Sequence, residues 1–464
     1  MTNLPAELLS SLDGLPGFDR IVFESIHRSG GQVTSIRVNP GKPGDRAAGC
    51  EPVPWSSFGY YLPERPLFTF DPLFHAGAYY VQEASSMFLE QALRQTTDLS
   101  GPLRVLDLCA APGGKSTLLE SLLTAGSLLV SNEVIRSRAN ILEENIIKWG
   151  GAGVVVTSND PHDLGRLENY FDVILVDAPC SGSGLFRREP EAVKEWSMDN
   201  VRLCSQRQRR ILADSWPALR QDGLLIYSTC SYSREENEDI VDWMVEELGA
   251  KGCRLEVVPE WKIVETEGLA GAYGYRFYPD RVRGEGLYMA CLRKLGGAAF
   301  AASRKKERLG SASSGKKGSL ELLSGKEANQ LGNWVRADRG LAYFRHAELI
   351  HAIPEPLLPE LSVLQSACYL RRAGVPLGKW SVKEFIPEHD LAMSTLVLPG
   401  LPAVSLSREQ ALSYLRKDEL PVESDYRGWM LVKYGGMNLG WIKVLPGRIN
   451  NYYPKEWRIL RREP

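Results

Sequence analysis

The sequence predicts an α/β chain: a Rossmann-like domain with a doubly wound, mostly parallel sheet, an N-terminal α+β extension before it and two small C-terminal domains after it. Three observations carry this. Between residues 104 and 230, short β-branched runs alternate with helical patterns of ten or more residues, the order of βαβ units. Those runs lack polar alternation, as expected of strands covered on both faces. Further on, "GGAAFAASRKKERLGSASSGKKGSLE" loses apolar periodicity and reads as a linker.

The elements follow in order. Residues 1–95 mix helix-like pieces with short extended ones such as "TSIRVN", and "YYVQEASSMFLEQALRQ" runs from an extended segment into an amphipathic helix. In residues 96–296, the α/β domain, the strand runs are "RVLDLCA", "GSLLVSNEV", "GVVVTSND", "FDVILVDAP" and "GLLIYSTCS". The helical patterns between them are "KSTLLESLLTA", "IRSRANILEENIIKWG" and "NVRLCSQRQRRILADSWPAL", and "GLYMACLRK" reads as a closing edge strand. Residues 297–325 form a basic Gly/Ser linker, 326–390 a first C-terminal domain, and 391–464 a second whose Gly-punctuated strands suggest a small β-barrel.

A chain of 464 residues, 44% apolar and 24% charged, has ample material for a large core. No apolar run reaches the roughly eighteen residues of a membrane span. The start carries Glu7 and Asp13 and lacks a signal-peptide layout, so a cytoplasmic location is expected. The chain is expected to act as a monomer. The eight cysteines form no CxxC pair and meet no histidine cluster, so neither a metal site nor a disulfide framework is expected. Residues 301–464 hold 25 Lys+Arg against 17 Asp+Glu, a net of +8, which leaves −10 for residues 1–300. A basic tail of this kind suits a polyanionic partner, the alternative being a solvated mixed surface.

Three motifs carry chemistry. In "VLDLCAAPGGKST", a strand ends on Asp107 and a loop of small residues, Cys109, Ala110, Ala111, Pro112, Gly113 and Gly114, leads into a helix near Lys115. Such a loop lets a ligand approach the backbone, and it matches neither a dinucleotide fingerprint nor a P-loop. The next two strands end at Glu133 and Asp160; an acid at Glu133 can hydrogen-bond ribose hydroxyls, and with Asp107 the set implies a nucleoside-containing cofactor. For Asp160 the spacing fits a helix N-cap equally well. "DAPCSGSG" and "STCSYSREENE" then each set a cysteine, Cys180 and Cys230, just past a strand end. Cys204, Cys253 and Cys291 read as packing residues.

In that order the three motifs resemble the signatures of the Nol/Nop/Sun RNA cytosine-5 methyltransferases. "SIRVN", "YVQEASSM" and "RFYPDRVRGEGLYMACLRK" extend the resemblance, while "IPEHDLAM" and a PUA-like ending resemble the bacterial RsmF (YebU) branch in particular. The family likeness implies a Rossmann-like methyltransferase domain using S-adenosyl-L-methionine, with Cys109 to Lys115 around its methionine end, Glu133 at its ribose and Asp160 at its adenine. Arg138 is a lesser candidate. It implies small-subunit (16S) ribosomal RNA as partner, free or in an assembling subunit, with 5-methylcytosine as product. Spacing alone does not say which cysteine attacks. The resemblance gives the attack on C6 to Cys230 and product release to Cys180, and puts Asp177 between cofactor and base. The alternatives are a transfer RNA target, a non-catalytic RNA-binding assembly factor, and a small-molecule or protein methyltransferase. The last fits poorly with Trp441, Tyr452, Tyr453 and Trp457 set among Lys443, Arg448, Lys455 and Arg458.

Overall fold

The computed structural model describes residues 4–42, 44, 47–296, 320–346, 348–420 and 425–462. Most of the expected linker, 297–319, lies outside the described residues. Five parallel strands form the heart of the molecule: β1 (Arg104–Asp107), β2 (Leu128–Asn132), β3 (Val154–Thr157), β4 (Phe171–Asp177) and β5 (Leu219–Thr229), in the order β5-β4-β1-β2-β3. Their apolar runs are buried on both faces because helices cover both sides, among them α1 (Gly114–Leu122), α2 (Arg136–Trp149) and α3 (Met198–Ser215). The order reverses between β1 and β4, and ligands of open α/β sheets bind outside the carboxyl ends at such a switch point.

Antiparallel strands extend this parallel core on both sides. The segment expected as a closing edge, β6 (Leu287–Lys294), lies instead between β5 and Tyr273–Phe277, and also pairs with Ala250–Cys253. Its first six residues are buried, which suits an interior strand and not an edge. On the far side β7 (Leu370–Ala373) pairs antiparallel with β3. Helix Leu358–Ala367 places Leu361 and Leu364 in the same apolar cluster as Leu106, Ile174 and Tyr227. A segment from beyond the expected linker is therefore built into the core of the parallel sheet.

The N-terminal extension is a four-stranded antiparallel sheet with short helices, and Tyr79–Val81 is one of its edges. Near the C-terminus, the strands at 403–405, 428–434, 437–445 and 448–451 follow an open four-stranded path rather than a closed barrel. This sheet shares a core with the N-terminal extension, in which Ile36, Phe70 and Tyr79 meet Met430, Ile442 and Tyr453. Of the aromatics proposed to meet RNA, Trp441 and Tyr453 are buried in packing, while Tyr452 is exposed and Trp457 half-buried. Among the described residues no helix is long and apolar enough to cross a membrane.

Candidate active site

The parallel register explains why two cysteines 50 residues apart meet. Asp177 at the end of β4 lies beside Ser228 near the end of β5, and Ala178 N–H donates to Ser228 C=O at 2.8 Å. Cys180 and Cys230 follow within three residues, so their sulfurs sit 3.1 Å apart, in hydrogen-bond contact and unbonded. The turns that carry them are locked together. Gly184 N–H donates to Cys230 C=O at 2.8 Å, and a Cβ at Gly184 would stand 2.7 Å from that oxygen and 2.6 Å from Gly286 C=O. Only glycine lets the backbones approach this closely.

A buried carboxyl that sequence reasoning did not single out lies beside the pair. Glu236 accepts from Ser181 N–H at 2.8 Å, from the Ser181 and Ser231 hydroxyls at 2.5 Å, and from the Gln208 amide at 3.3 Å. In the run Arg234–Asp239 nothing distinguishes Glu236 from its acidic neighbours; only the turn at 234–236 points it inward. The Cys180 thiol is held well above its usual range, first by its hydrogen bond to Cys230, then by burial and the charges of Cys230 and Glu236. On the other side, Lys115 Nζ lies 2.7 Å from Asp177 Oδ2. Burial pulls the Lys115 ammonium down, but Asp177, with help from Asp107 and Cys230, outweighs it and raises its pKa. A lysine–aspartate ion pair and a buried glutamate thus stand close to the two sulfurs.

Asp177 is the hub. Oδ2 takes Lys115 and Oδ1 accepts the Ser228 hydroxyl at 2.7 Å, while the side chain stays one-third exposed. A left-handed Gly113 (φ 114°) opens α1, and a Cβ there would press on Leu142 at 3.3 Å. Cys109 lies in the same loop, its thiol pushed up by burial and the surrounding carboxylates. Asp107 is wholly buried beneath the loop, its Oδ2 accepting the Ser116 hydroxyl at 2.6 Å. Its Oδ1 is buried without a partner among the described residues, and burial raises this carboxyl to about 7. Glu133 accepts from Ile135 N–H at 2.9 Å and stands 3.5 Å from Arg138, which also donates to Ala111 C=O at 2.9 Å. Asp160 caps helix Pro161–Gly165 through His162 N–H at 3.1 Å, and its Oδ2 lies 3.6 Å from Arg210. The N-cap reading of Asp160 therefore holds geometrically. A loop whose left-handed glycine disfavours a side chain, an unpartnered buried carboxyl oxygen and two acids at adjacent strand ends are a donor set that fits a nucleoside bearing an amino acid tail.

The "SIRVN" stretch supplies a second feature unread from sequence. Arg37, fully buried, donates to Gln82 Oε1 at 2.7 Å, Ser121 Oγ at 3.2 Å and Gly114 C=O at 3.3 Å. The N-terminal extension thereby grips α1 just behind the loop. Alternation in "TSIRVN" marks Arg37 as facing opposite to Ile36, but not that a helix covers that face.

Fold and site together define a Rossmann-like, S-adenosylmethionine-dependent RNA methyltransferase. Three family models match the chain: the N-terminal domain of 16S rRNA methyltransferase RsmF over residues 4–84, 16S rRNA methyltransferase RsmB/F over 96–293, and the methyltransferase RsmF PUA domain over 401–459. A ribosomal RNA small subunit methyltransferase F of Serratia proteamaculans is 30% identical over 413 residues, covering 88% of this chain and 84% of that protein. One from Aliivibrio fischeri is 29% identical, covering 88% and 85%. Among solved structures, a methyltransferase homolog protein from Pyrococcus horikoshii aligns at TM-score 0.50 and 26% identity, covering 63% of this chain and all of that one. NSun6 from the same organism, solved with SFG, shares the fold at TM-score 0.52 and 21% identity, covering 64% of this chain and all of that one. The chain belongs to the RsmF family of 16S ribosomal RNA methyltransferases.

Proposed function

We propose that the chain methylates C5 of cytosine in small-subunit ribosomal RNA, with Cys230 as nucleophile and Cys180 as the release group. The observation that carries this is the 3.1 Å contact between the two sulfurs, next to the Asp177–Lys115 pair, with the division of roles following the family likeness. Cytosine C5 is a weak nucleophile. Addition of the Cys230 thiolate to C6 forms a C–S bond and makes C5 enamine-like, which splits one hard step into easier ones. Bound S-adenosylmethionine supplies an electrophilic methyl group, held by Cys109 to Lys115 with Glu133 at the ribose and Asp160 at the adenine. Asp177, between Lys115 and the sulfur pair, accepts a hydrogen bond from the exocyclic amine of cytosine and offsets the charge that develops during attack. After methylation a water takes the C5 proton, the C5–H electron pair re-forms the C5=C6 double bond as the C–S bond breaks, and the Cys180 thiol is placed to protonate the departing Cys230 sulfur and then regains a proton from solvent. The target base must leave its stack to reach the sulfurs.

The direct test is incubation of the protein with unmodified small-subunit RNA, as free RNA and as subunits, followed by mapping of 5-methylcytosine. New 5-methylcytosine confined to that RNA is expected; a methyl group on another atom, or on transfer RNA alone, overturns the reading. The cofactor assignment has its own test. Asp160→Ala is expected to weaken S-adenosylmethionine binding about five- to 150-fold, the equivalent of losing roughly 1–3 kcal/mol of hydrogen bonding. Calorimetry showing unchanged affinity in a folded Asp160→Ala protein would leave this residue only its capping role.

A further inference from the structure

Resting on that reading of the site, we infer that a groove along the free edge strand Tyr79–Val81 holds the single-stranded RNA that flanks the target cytosine, with Arg65 and Arg188 as its phosphate contacts. Two adjoining cavities share Arg65, Val81 and Arg188 in their walls. One, of about 380 Å³, is also lined by Leu67, Phe68 and Tyr80. The other continues past Gln82 and Glu83 toward Glu285.

Charge, surface chemistry and position agree on the occupant. Both arginines are exposed, and neither is in a salt bridge among the described residues. The carboxylates nearby are already engaged: Glu83 accepts the backbone N–H groups of Ser85, Ser86 and Glu285, each at 2.9 Å, and Glu285 lies 3.4 Å from Arg187. The cationic ends of the groove are therefore free for a polyanion. Leu67 is half-exposed and the Phe68 ring lies 5.5 Å under the Arg65 guanidinium, an apolar and aromatic surface on which a base can stack. The walls also touch the catalytic machinery. Asn145, in the larger cavity, donates to Pro112 C=O of the cofactor loop at 2.8 Å, and Tyr80 stands so close that a Cβ on Gly114 would meet its ring at 3.2 Å. Arg188 N–H donates to Leu185 C=O at 2.9 Å, closing the turn that directly follows Gly184, whose own N–H holds the Cys230 backbone. RNA entering along this groove arrives at the sulfur pair with its backbone fixed on one side.

The test measures binding of unmodified small-subunit RNA against salt concentration for the wild type, Arg65→Ala, Arg188→Ala and the double variant. Each phosphate contact on single strands contributes about 0.7 to the log–log salt slope, so the double variant is expected to lose about 1.4. S-adenosylmethionine affinity, read by calorimetry, should stay at the wild-type value, which also reports an intact fold. Wild-type RNA affinity and slope in the double variant overturn the groove, and so does a loss of slope equally large for duplex RNA, which would place the arginines on a helix surface. These readouts do not depend on methyl transfer. A wild type that methylates cytosine while the double variant binds RNA normally refutes the groove alone, whereas a wild type that never forms 5-methylcytosine refutes the proposed reaction alone.

Discussion

Cys180→Ala is expected to stall after methyl transfer with RNA covalently attached through Cys230. A C6–S bond does not depend on the fold, so the adduct should survive denaturing electrophoresis as a slow-migrating band that ribonuclease collapses. Cys180→Ser should stall similarly, because a hydroxyl is a weaker acid than a thiol and donates its proton less readily to the leaving sulfur. Cys230→Ala leaves no group to add to C6. Its activity should fall on the order of 10⁴-fold or more, and no adduct should form. The 3.1 Å contact puts each sulfur within proton-transfer reach of the other, so removing one thiol separates attack from release. Adduct in Cys230→Ala and none in Cys180→Ala would exchange the roles. Full activity in both variants would make the two turns structural.

The second large effect concerns chain length. A protein ending near residue 300 is expected not to fold cooperatively, although every motif of the reaction lies before that point. It would lose Phe344, Leu357, Leu361, Leu364 and Leu370 from the cluster that holds Leu106 and Ile174. At about 1.5–3 kcal/mol for each buried apolar side chain, an upper estimate, the loss is roughly 8–15 kcal/mol, the size of a whole domain's stability. Removal of β7 would also bare β3, an apolar edge prone to aggregation. Calorimetric melting checks this. A shortened chain that melts cooperatively at the full-length temperature and binds S-adenosylmethionine would show that the sheet closes without β7.

Sequence by itself determined the alternation of strands and helices, the glycine-bearing loop at 109–115 and the positions of both cysteines, because each is a local pattern: β-branched runs, helical periodicity, small residues after a strand. It also put Glu133 and Asp160 at or just past the ends of neighbouring strands, since parallel strands share one carboxyl edge. Tertiary structure decided the rest. The register of β4 on β5 brings Cys180 to Cys230. A turn at 234–236 buries Glu236 instead of Glu235. Arg37 becomes an internal strut because α1 covers its strand face, and "GLYMACLRK" becomes an interior strand because Tyr273–Phe277 and Ala250–Cys253 pair with it. Residues 358–373 leave the C-terminal region to complete the sheet. Each of these depends on a partner distant in sequence. Hydrogen-bond pairing and burial are satisfied between segments, so a local pattern can say what a residue offers but not which neighbour takes it up.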